Sequence, residues 1–320
     1  MKVLITPRSF KNYRDLVLPH FAARGWKVVE NTSGRTLNED DLIAACQSGI
    51  DGMIVGLDPL TARVLRECRS LKAISKYGVG LDNIDLATAS ELSIEVRAAV
   101  GSNNVSVAEL TIALMFETAR RVSVQGATVK AGKWERVLGI ELTGKRLGLV
   151  GGGQIGQEVA VRAKGLKMEV SLYDPYFRHT QFLEAYGIQR ADSLSMLLAE
   201  ADVVSLHAPL NSETRHIIST ATLAAMKPSA ILINTARGEL IDEEALYAAL
   251  SAKRLAFAAA DVFSCEPPPA DAPLLGLDNF LLTPHTGAYT AEANARMAML
   301  STENLIAMLT GHHREEELRP

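Results

Sequence analysis

The chain has 320 residues, 48% of them hydrophobic and 22% charged, with a formal net charge of −4. That length exceeds one ordinary core and suits two domains, and the composition is that of a globular chain. No basic run offers a surface to nucleic acid, and no stretch approaches the ~20 apolar residues that span a bilayer.

The N-terminal MKVLITPRSF holds a short apolar run, Val3–Ile5, which reads as a buried strand and not as a signal peptide. From there short apolar runs alternate with helical patterns. Strands are expected at Lys2–Thr6, Lys27–Asn31, Gly52–Gly56, Ala73–Tyr77 and Ile94–Ala98. A second series is expected at Arg146–Val150, Glu169–Tyr173, Val203–His207, Ala230–Asn234, Ala256–Asp261 and Phe280–Thr283. Strand–helix alternation implies parallel sheets covered on both faces, hence an α/β chain of two doubly wound, Rossmann-like domains. A long helix is expected over 102–122, capped by Ser102 and Asn103, and another over Asn294–Leu309. Both are placed to cross between domains, so the first domain is expected to be discontinuous: 1–99 with 288–320, around 100–287. The tail GHHREEELRP is polar and expected to fray, with His312 and His313 solvated rather than holding a metal. Cys46, Cys68 and Cys265 lack CxxC spacing, which argues against a disulfide framework or a zinc site and suits a reducing cytoplasm. No metal is expected.

The strongest motif follows strand Arg146–Val150. Gly151, Gly153 and Gly156 satisfy G-x-G-x-x-G ahead of a helix that starts near Gln154. The first glycine permits a tight turn, the second lets backbone approach a diphosphate, and the third lets helix and strand pack closely. Asp174 ends the next strand, eighteen residues after Gly156, where an acid meets the adenosine ribose hydroxyls. A carboxylate there repels a 2′-phosphate, and Pro175-Tyr176 brings no adjacent arginine, so NAD is expected over NADP.

Three more strand ends carry polar residues. Arg237 follows Ala230–Asn234, Glu266 follows Ala256–Asp261, and His285 follows Phe280–Thr283. Singly each has a plain reading, as a turn or surface residue. Together they are what hydride exchange at a hydroxy acid requires. An arginine fork holds a carboxylate. A histidine takes or gives the hydroxyl proton, and a carboxylate beside it orients the ring and favours its charged form.

With SKYGVGLDNIDL from Ser75, NVSVAEL from Asn104, HAPLNSETRHII from His207, NTARGELIDEEAL from Asn234, DVFSCEP from Asp261 and TPHTGAYT from Thr283, the chain resembles the D-isomer-specific 2-hydroxyacid dehydrogenases. The phosphoglycerate dehydrogenase branch is the nearest. The resemblance implies a flavodoxin-like substrate domain and an NAD-binding Rossmann domain, with Arg237, Glu266 and His285 catalytic. It implies that Gln154 and Ile155 touch the diphosphate and that Ala208 and Pro209 cover the cofactor. Thr235 and Ala236 would line the nicotinamide half, Asp261 would hold its carboxamide, and Gly287 would also touch the cofactor. Lys76, Tyr77, Gly78 and Val79 would present backbone N–H groups to the substrate carboxylate, while Asp82, Asn83 and Asp85 read as turn and cap residues. It further implies a homodimer formed through the NAD-binding domain, burying Trp134.

The sequence departs from relatives at Lys76, where many have arginine, and at the additional glycine Gly152. It also ends at 320 without the C-terminal regulatory domains of some phosphoglycerate dehydrogenases, so serine feedback through one is not expected. Arg8 and Lys76, each at a strand end, read either as contacts for an anionic substrate tail, as in D-3-phosphoglycerate, or as solvated charges. The rival functions are a non-catalytic NAD(H)-sensing binding protein and a dehydrogenase of another small anion such as formate.

Overall fold

The computed structural model describes residues 1–311. Contacts divide the chain into two compact units, Met1–Asn103 together with the chain from Ala288 on, and Asn104–Gly287.

The first unit is built on strands β1 (Lys2–Ile5), β2 (Lys27–Glu30), β3 (Gly52–Val55), β4 (Ala73–Lys76) and β5 (Glu95–Ala98). All pair in parallel in the order β2-β1-β3-β4-β5, the flavodoxin-like order. Burial follows that order. β3 and β4 are buried at every residue, while the edge strands β2 and β5 are only half-buried or exposed. Strand alternation divides the core in two. Val3, Ile5 and Ile54 join Phe21, Met297 and Leu305 on one face, and Leu4, Met53 and Val55 join Leu42, Val64 and Leu65 on the other. Truncating a fully buried residue such as Ile54 to alanine would cost roughly 2–5 kcal/mol. Helices start where short polar side chains cap them. Asn38 accepts from Asp41 N and Asp85 from Thr88 N, and Thr290 opens the 20-residue helix Ala291–Thr310.

Two expectations fail in this unit. Cys46 and Cys68 form a disulfide, which counting and spacing argued against. Cys46 ends helix Glu39–Cys46 and Cys68 caps helix Ala62–Glu67, two helices covering the same sheet face. Their Cα atoms lie 5.1 Å apart because of that packing, which no sequence spacing encodes. The odd count leaves Cys265 free and exposed, so it says nothing about redox compartment. The second failure concerns Ser102 and Asn103. Ser102 Oγ donates to Ala99 O, and Asn103 Oδ1 is buried without a partner among the described residues, so neither acts as the expected cap.

The second unit carries β6 (Arg146–Val150), β7 (Glu169–Tyr173), β8 (Gln189–Arg190), β9 (Val203–Leu206), β10 (Ile231–Asn234), β11 (Phe257–Ala260) and β12 (Phe280–Leu282). The parallel order is β12-β11-β10-β9-β6-β7-β8. The chain therefore leaves β6 in one direction to build β7 and β8, then returns past it to build β9 onward. The carboxyl ends of β6 and β9 flank the crevice of that switch point, where doubly wound sheets bind ligands. β8 has only two residues, both exposed, at the sheet's edge; with no apolar period it gave no strand signal. Helix Asn104–Arg120 packs on helix Gln154–Gly165 and on β10 and β11. Among the described residues no helix is long and apolar enough to cross a membrane. His312 and His313 lie outside the described residues.

Candidate functional site

Five carboxyl ends of the second sheet, those of β6, β7, β9, β10 and β11, and the turn after β12 carry the groups singled out above. The turn after β6 is shaped by what it must avoid. Gly151 has φ 101, and a Cβ there would stand 2.6 Å from Ala208 N and His207 C, so only glycine lets this turn run against the exit of β9. A Cβ on Gly156 would stand 2.3 Å from Gly151 O. Gly153 is different: it precedes helix Gln154–Gly165, and no protein atom beyond its own chain neighbours lies within 4 Å of where its Cβ would be. That open space sits at a helix N-terminus whose first N–H groups lack intrahelical acceptors, and it fits a diphosphate. Gln154, exposed beside it, is oriented by Asn104, whose Nδ2 donates to Gln154 Oε1 at 2.6 Å. Ile155 is half-buried, as the second residue of the helix.

The additional glycine, Gly152, is required by packing. A Cβ would collide with the buried ring of Phe177, at 2.4 Å from Cδ2. Its N–H donates to Asp174 Oδ2 at 2.8 Å, and Tyr176 N donates to Oδ1 at 2.9 Å. The carboxylate expected to accept the ribose hydroxyls is thereby oriented by two backbone groups, with further lone pairs remaining. Sequence reading missed Arg190, whose guanidinium reaches Asp174 O at 3.5 Å from neighbouring β8. Ala208 is buried and Pro209 exposed at the end of β9. Beneath them His207 Nδ1 is buried without a partner among the described residues, while Nε2 meets Ser205 Oγ at 2.8 Å. Burial holds the pKa of His207 down to about 3, so its ring is neutral.

The turn after β10 is held by Asn234, a residue the sequence reading used only as a strand end. Its Oδ1 accepts from Ala236 N and its Nδ2 donates to Arg237 O; asparagine at a strand end is the signal that could have found it. Thr235 is buried, its hydroxyl 2.8 Å from that of Thr111. Gly238 then passes so close to the turn after β11 that a Cβ would lie 2.1 Å from Phe263 C. This approach brings Arg237 near enough to Glu266 for its charge to act on that carboxylate.

Glu266 and His285 meet directly. His285 Nδ1 lies 2.6 Å from Glu266 Oε2, each side chain about one-third exposed, and Glu266 Oε1 accepts from Phe263 N at 3.0 Å. Burial pushes the Glu266 pKa up, but the hydrogen bond and charge of His285, the Phe263 N–H and the Arg237 charge outweigh it, leaving a net lowering. His285 has φ 51, a left-handed conformation that costs about 1–2 kcal/mol in a side chain other than glycine. Asp261 holds that turn in place. Its Oδ1 accepts from Thr283 Oγ1, Thr286 N and Thr286 Oγ1, and its Oδ2 from Gly287 N at 2.6 Å. The expectation that Asp261 holds a carboxamide therefore reduces to the capacity left on Oδ2; its demonstrated partners lie in the turn that carries His285.

In the first unit the Lys76–Gly80 turn departs from expectation. Lys76 is 5% exposed, and its ammonium donates to Gly56 O and Asn83 Oδ1, so it is not a solvated charge. The N–H of Tyr77 is spent on Val55 O. Among the described residues no protein group accepts from Gly78 or Val79 N–H, and Gly78 has φ 137. Burial pushes the Tyr77 phenol up to about 12, and its hydroxyl bonds Asn294. Asp85 caps the next helix, as expected.

Residues 112–287 match the family model of the D-isomer specific 2-hydroxyacid dehydrogenase NAD-binding domain. A D-3-phosphoglycerate dehydrogenase of Methanocaldococcus jannaschii is 44% identical over 79% of this chain, and the chain spans about half (48%) of that relative's length. A hydroxypyruvate reductase of Thermotoga maritima is 41% identical over 85% of this chain and 89% of its own. A crystal structure from Thermus thermophilus superposes with a TM-score of 0.87 at 37% identity, covering 98% of this chain and 99% of that one.

Proposed function

We propose that this chain, which belongs to the D-isomer specific 2-hydroxyacid dehydrogenase family, interconverts a D-2-hydroxy acid and its 2-keto acid with NAD. The observation that carries the reading is the 2.6 Å His285–Glu266 pair with Arg237 beside it, on turns that follow neighbouring strands. Bound nicotinamide supplies or accepts the hydride. Arg237 holds the substrate carboxylate by two parallel hydrogen bonds. Glu266 fixes the imidazole through Nδ1, leaving Nε2 to give a proton to the C2 oxygen in reduction or take it in oxidation. The Gly153–Gly156 helix start receives the diphosphate and Asp174 the ribose diol. The Lys76–Gly80 turn keeps a proposed anion-binding role through Gly78 and Val79 N–H.

The relatives named above act on phosphorylated and unphosphorylated acids, and the substrate tail is open. With Lys76 turned inward, Arg8, in the 3-10 turn Arg8–Tyr13, is the exposed candidate for an anionic tail. Turnover of phosphohydroxypyruvate, hydroxypyruvate, glyoxylate and pyruvate, followed by loss of NADH absorbance, tests both points. Failure on every keto acid while NADH binds would remove the dehydrogenase reading, and equal kcat/KM on the first two would remove the anionic tail.

The chain is also proposed to form a homodimer through this unit. Helix Val122–Lys130 has no buried residue, and Trp134 (85%) and Leu138 (99%) are exposed, as are Val122, Val129 and Ile140. Large apolar side chains this exposed along one stretch of chain support a covering partner, and a second copy is what the family resemblance implies.

A further inference from the structure

The loops after β7 and β9 stand on either side of the glycine turn, because β6 lies between those strands. One side-chain contact joins them. Tyr176 Oη donates to Glu213 Oε2 at 2.9 Å, across 37 residues of chain. Tyr176 is 69% exposed, so burial of its own ring does not account for this placement.

Both ends of the bridge are mounted on fixed backbone. On the β7 side, Phe177 is buried against Gly152, and Tyr176 N donates to Asp174 Oδ1. On the β9 side, Asn211 Oδ1 accepts from both Glu213 N and Thr214 N, and Thr214 Oγ1 donates to Pro209 O. The Glu213 carboxylate holds the Tyr176 phenol above its ordinary pKa, as an acceptor of its proton would.

Asp174 marks the ribose end of the dinucleotide site, so the adenine must lie beyond it, between these two loops. We propose that the Tyr176–Glu213 hydrogen bond is a clasp over the adenosine half of the bound dinucleotide, with Tyr176 and Glu213 as positioning residues that slow its release. The proposal rests on the dinucleotide reading of Gly151–Gly156 and Asp174. It gives these two residues a role apart from hydride transfer, because neither belongs to the His285, Glu266 and Arg237 group.

The test uses the whole chain and NADH fluorescence. Tyr176→Phe and Glu213→Ala should each speed NADH dissociation in stopped flow by about three- to tenfold, the worth of an ordinary net hydrogen bond, because water competes for this exposed pair. Because both remove the same bond, the double variant should release NADH no faster than the faster single one. Affinity for ADP-ribose, which carries the adenosine half without nicotinamide, should fall by the same factor, and the KM for keto acid should not move. Release at the wild-type rate in either single variant, multiplying effects in the double, or unchanged ADP-ribose affinity would each overturn the clasp. NADH that fails to bind the wild-type chain would instead overturn the dinucleotide reading beneath it.

Discussion

Glu266→Gln removes a charge and keeps the side chain's size, which makes it the sharpest probe of the proposed reacting group. In the wild type, Oε1 accepts from Phe263 N at 3.0 Å while Oε2 meets His285 Nδ1 at 2.6 Å. Glutamine has one acceptor oxygen for those two places. If the oxygen stays on Phe263 N–H, its NH2 faces Nδ1 and opposes a proton there. If the amide turns, the NH2 opposes Phe263 N–H. Either way one charge-assisted bond of roughly 1.5–3 kcal/mol is lost. At 2.6 Å the Coulomb part alone spans about 1.6 kcal/mol in water to about 6 kcal/mol at an effective dielectric of 20, before desolvation is subtracted. With both side chains about one-third exposed, a value near 2 kcal/mol is expected, or about 30-fold in rate. The kcat for keto-acid reduction should therefore fall by about that factor. The folded pKa of Glu266 lies below its ordinary 4.5, so the pair's contribution is complete above that value and is lost only as pH falls through the lower one. Profiles of kcat/KM against pH at saturating NADH, with thermal melts of both proteins, measure all of this. A wild-type kcat in Glu266→Gln with an unchanged melt would refute the argument, because the contact between Glu266 and His285 Nδ1 would then contribute nothing to the reaction.

His285→Ala should lower kcat by roughly 10²–10⁴, and Arg237→Ala should chiefly raise the keto-acid KM; the reverse pattern would exchange their roles. Asp174→Ala should raise the KM for NADH and narrow its advantage over NADPH, with Arg190 already near Asp174 O to meet a 2′-phosphate; a wild type that prefers NADPH would contradict the reading of this carboxylate. As pH falls below 6.5 the unfolded chain gains a proton that His207, held down to about 3, does not take. Stability should drop by up to about 1.4 kcal/mol per pH unit, and His207→Gln should flatten that slope in denaturant titrations. Light scattering should give about twice the chain's 34.5 kDa, and a monomeric mass at micromolar concentration would leave Trp134 without the proposed cover.

Much of this was legible in the residues alone. Apolar runs bounded by turn residues marked eleven strands to within a residue or so at each end, because burial on both faces of a parallel sheet writes itself into consecutive positions. The G-x-G-x-x-G turn was legible for the same kind of reason, since Gly151 and Gly156 stand where any side chain would strike backbone a few residues away or on the adjoining strand. β8 escaped because two exposed residues at a sheet edge carry no period.

What the residues could not decide was which groups meet when the crossovers return. Lys76 read either as a contact for an anionic tail or as a solvated charge until β3 and β4 paired and its ammonium met Gly56 O and Asn83 Oδ1. Cys46 and Cys68 read as isolated thiols until two helices packed on one face of the sheet. The strand order also set β10, β11 and β12 side by side, so that turns from three separate stretches of chain carry Arg237, Glu266 and His285. Gly238 then removed the side chain that would have held the first two turns apart. Periodicity and turn chemistry are local properties and are written in order along the chain, whereas a pairing between distant residues exists only once strand order and helix packing have chosen their neighbours.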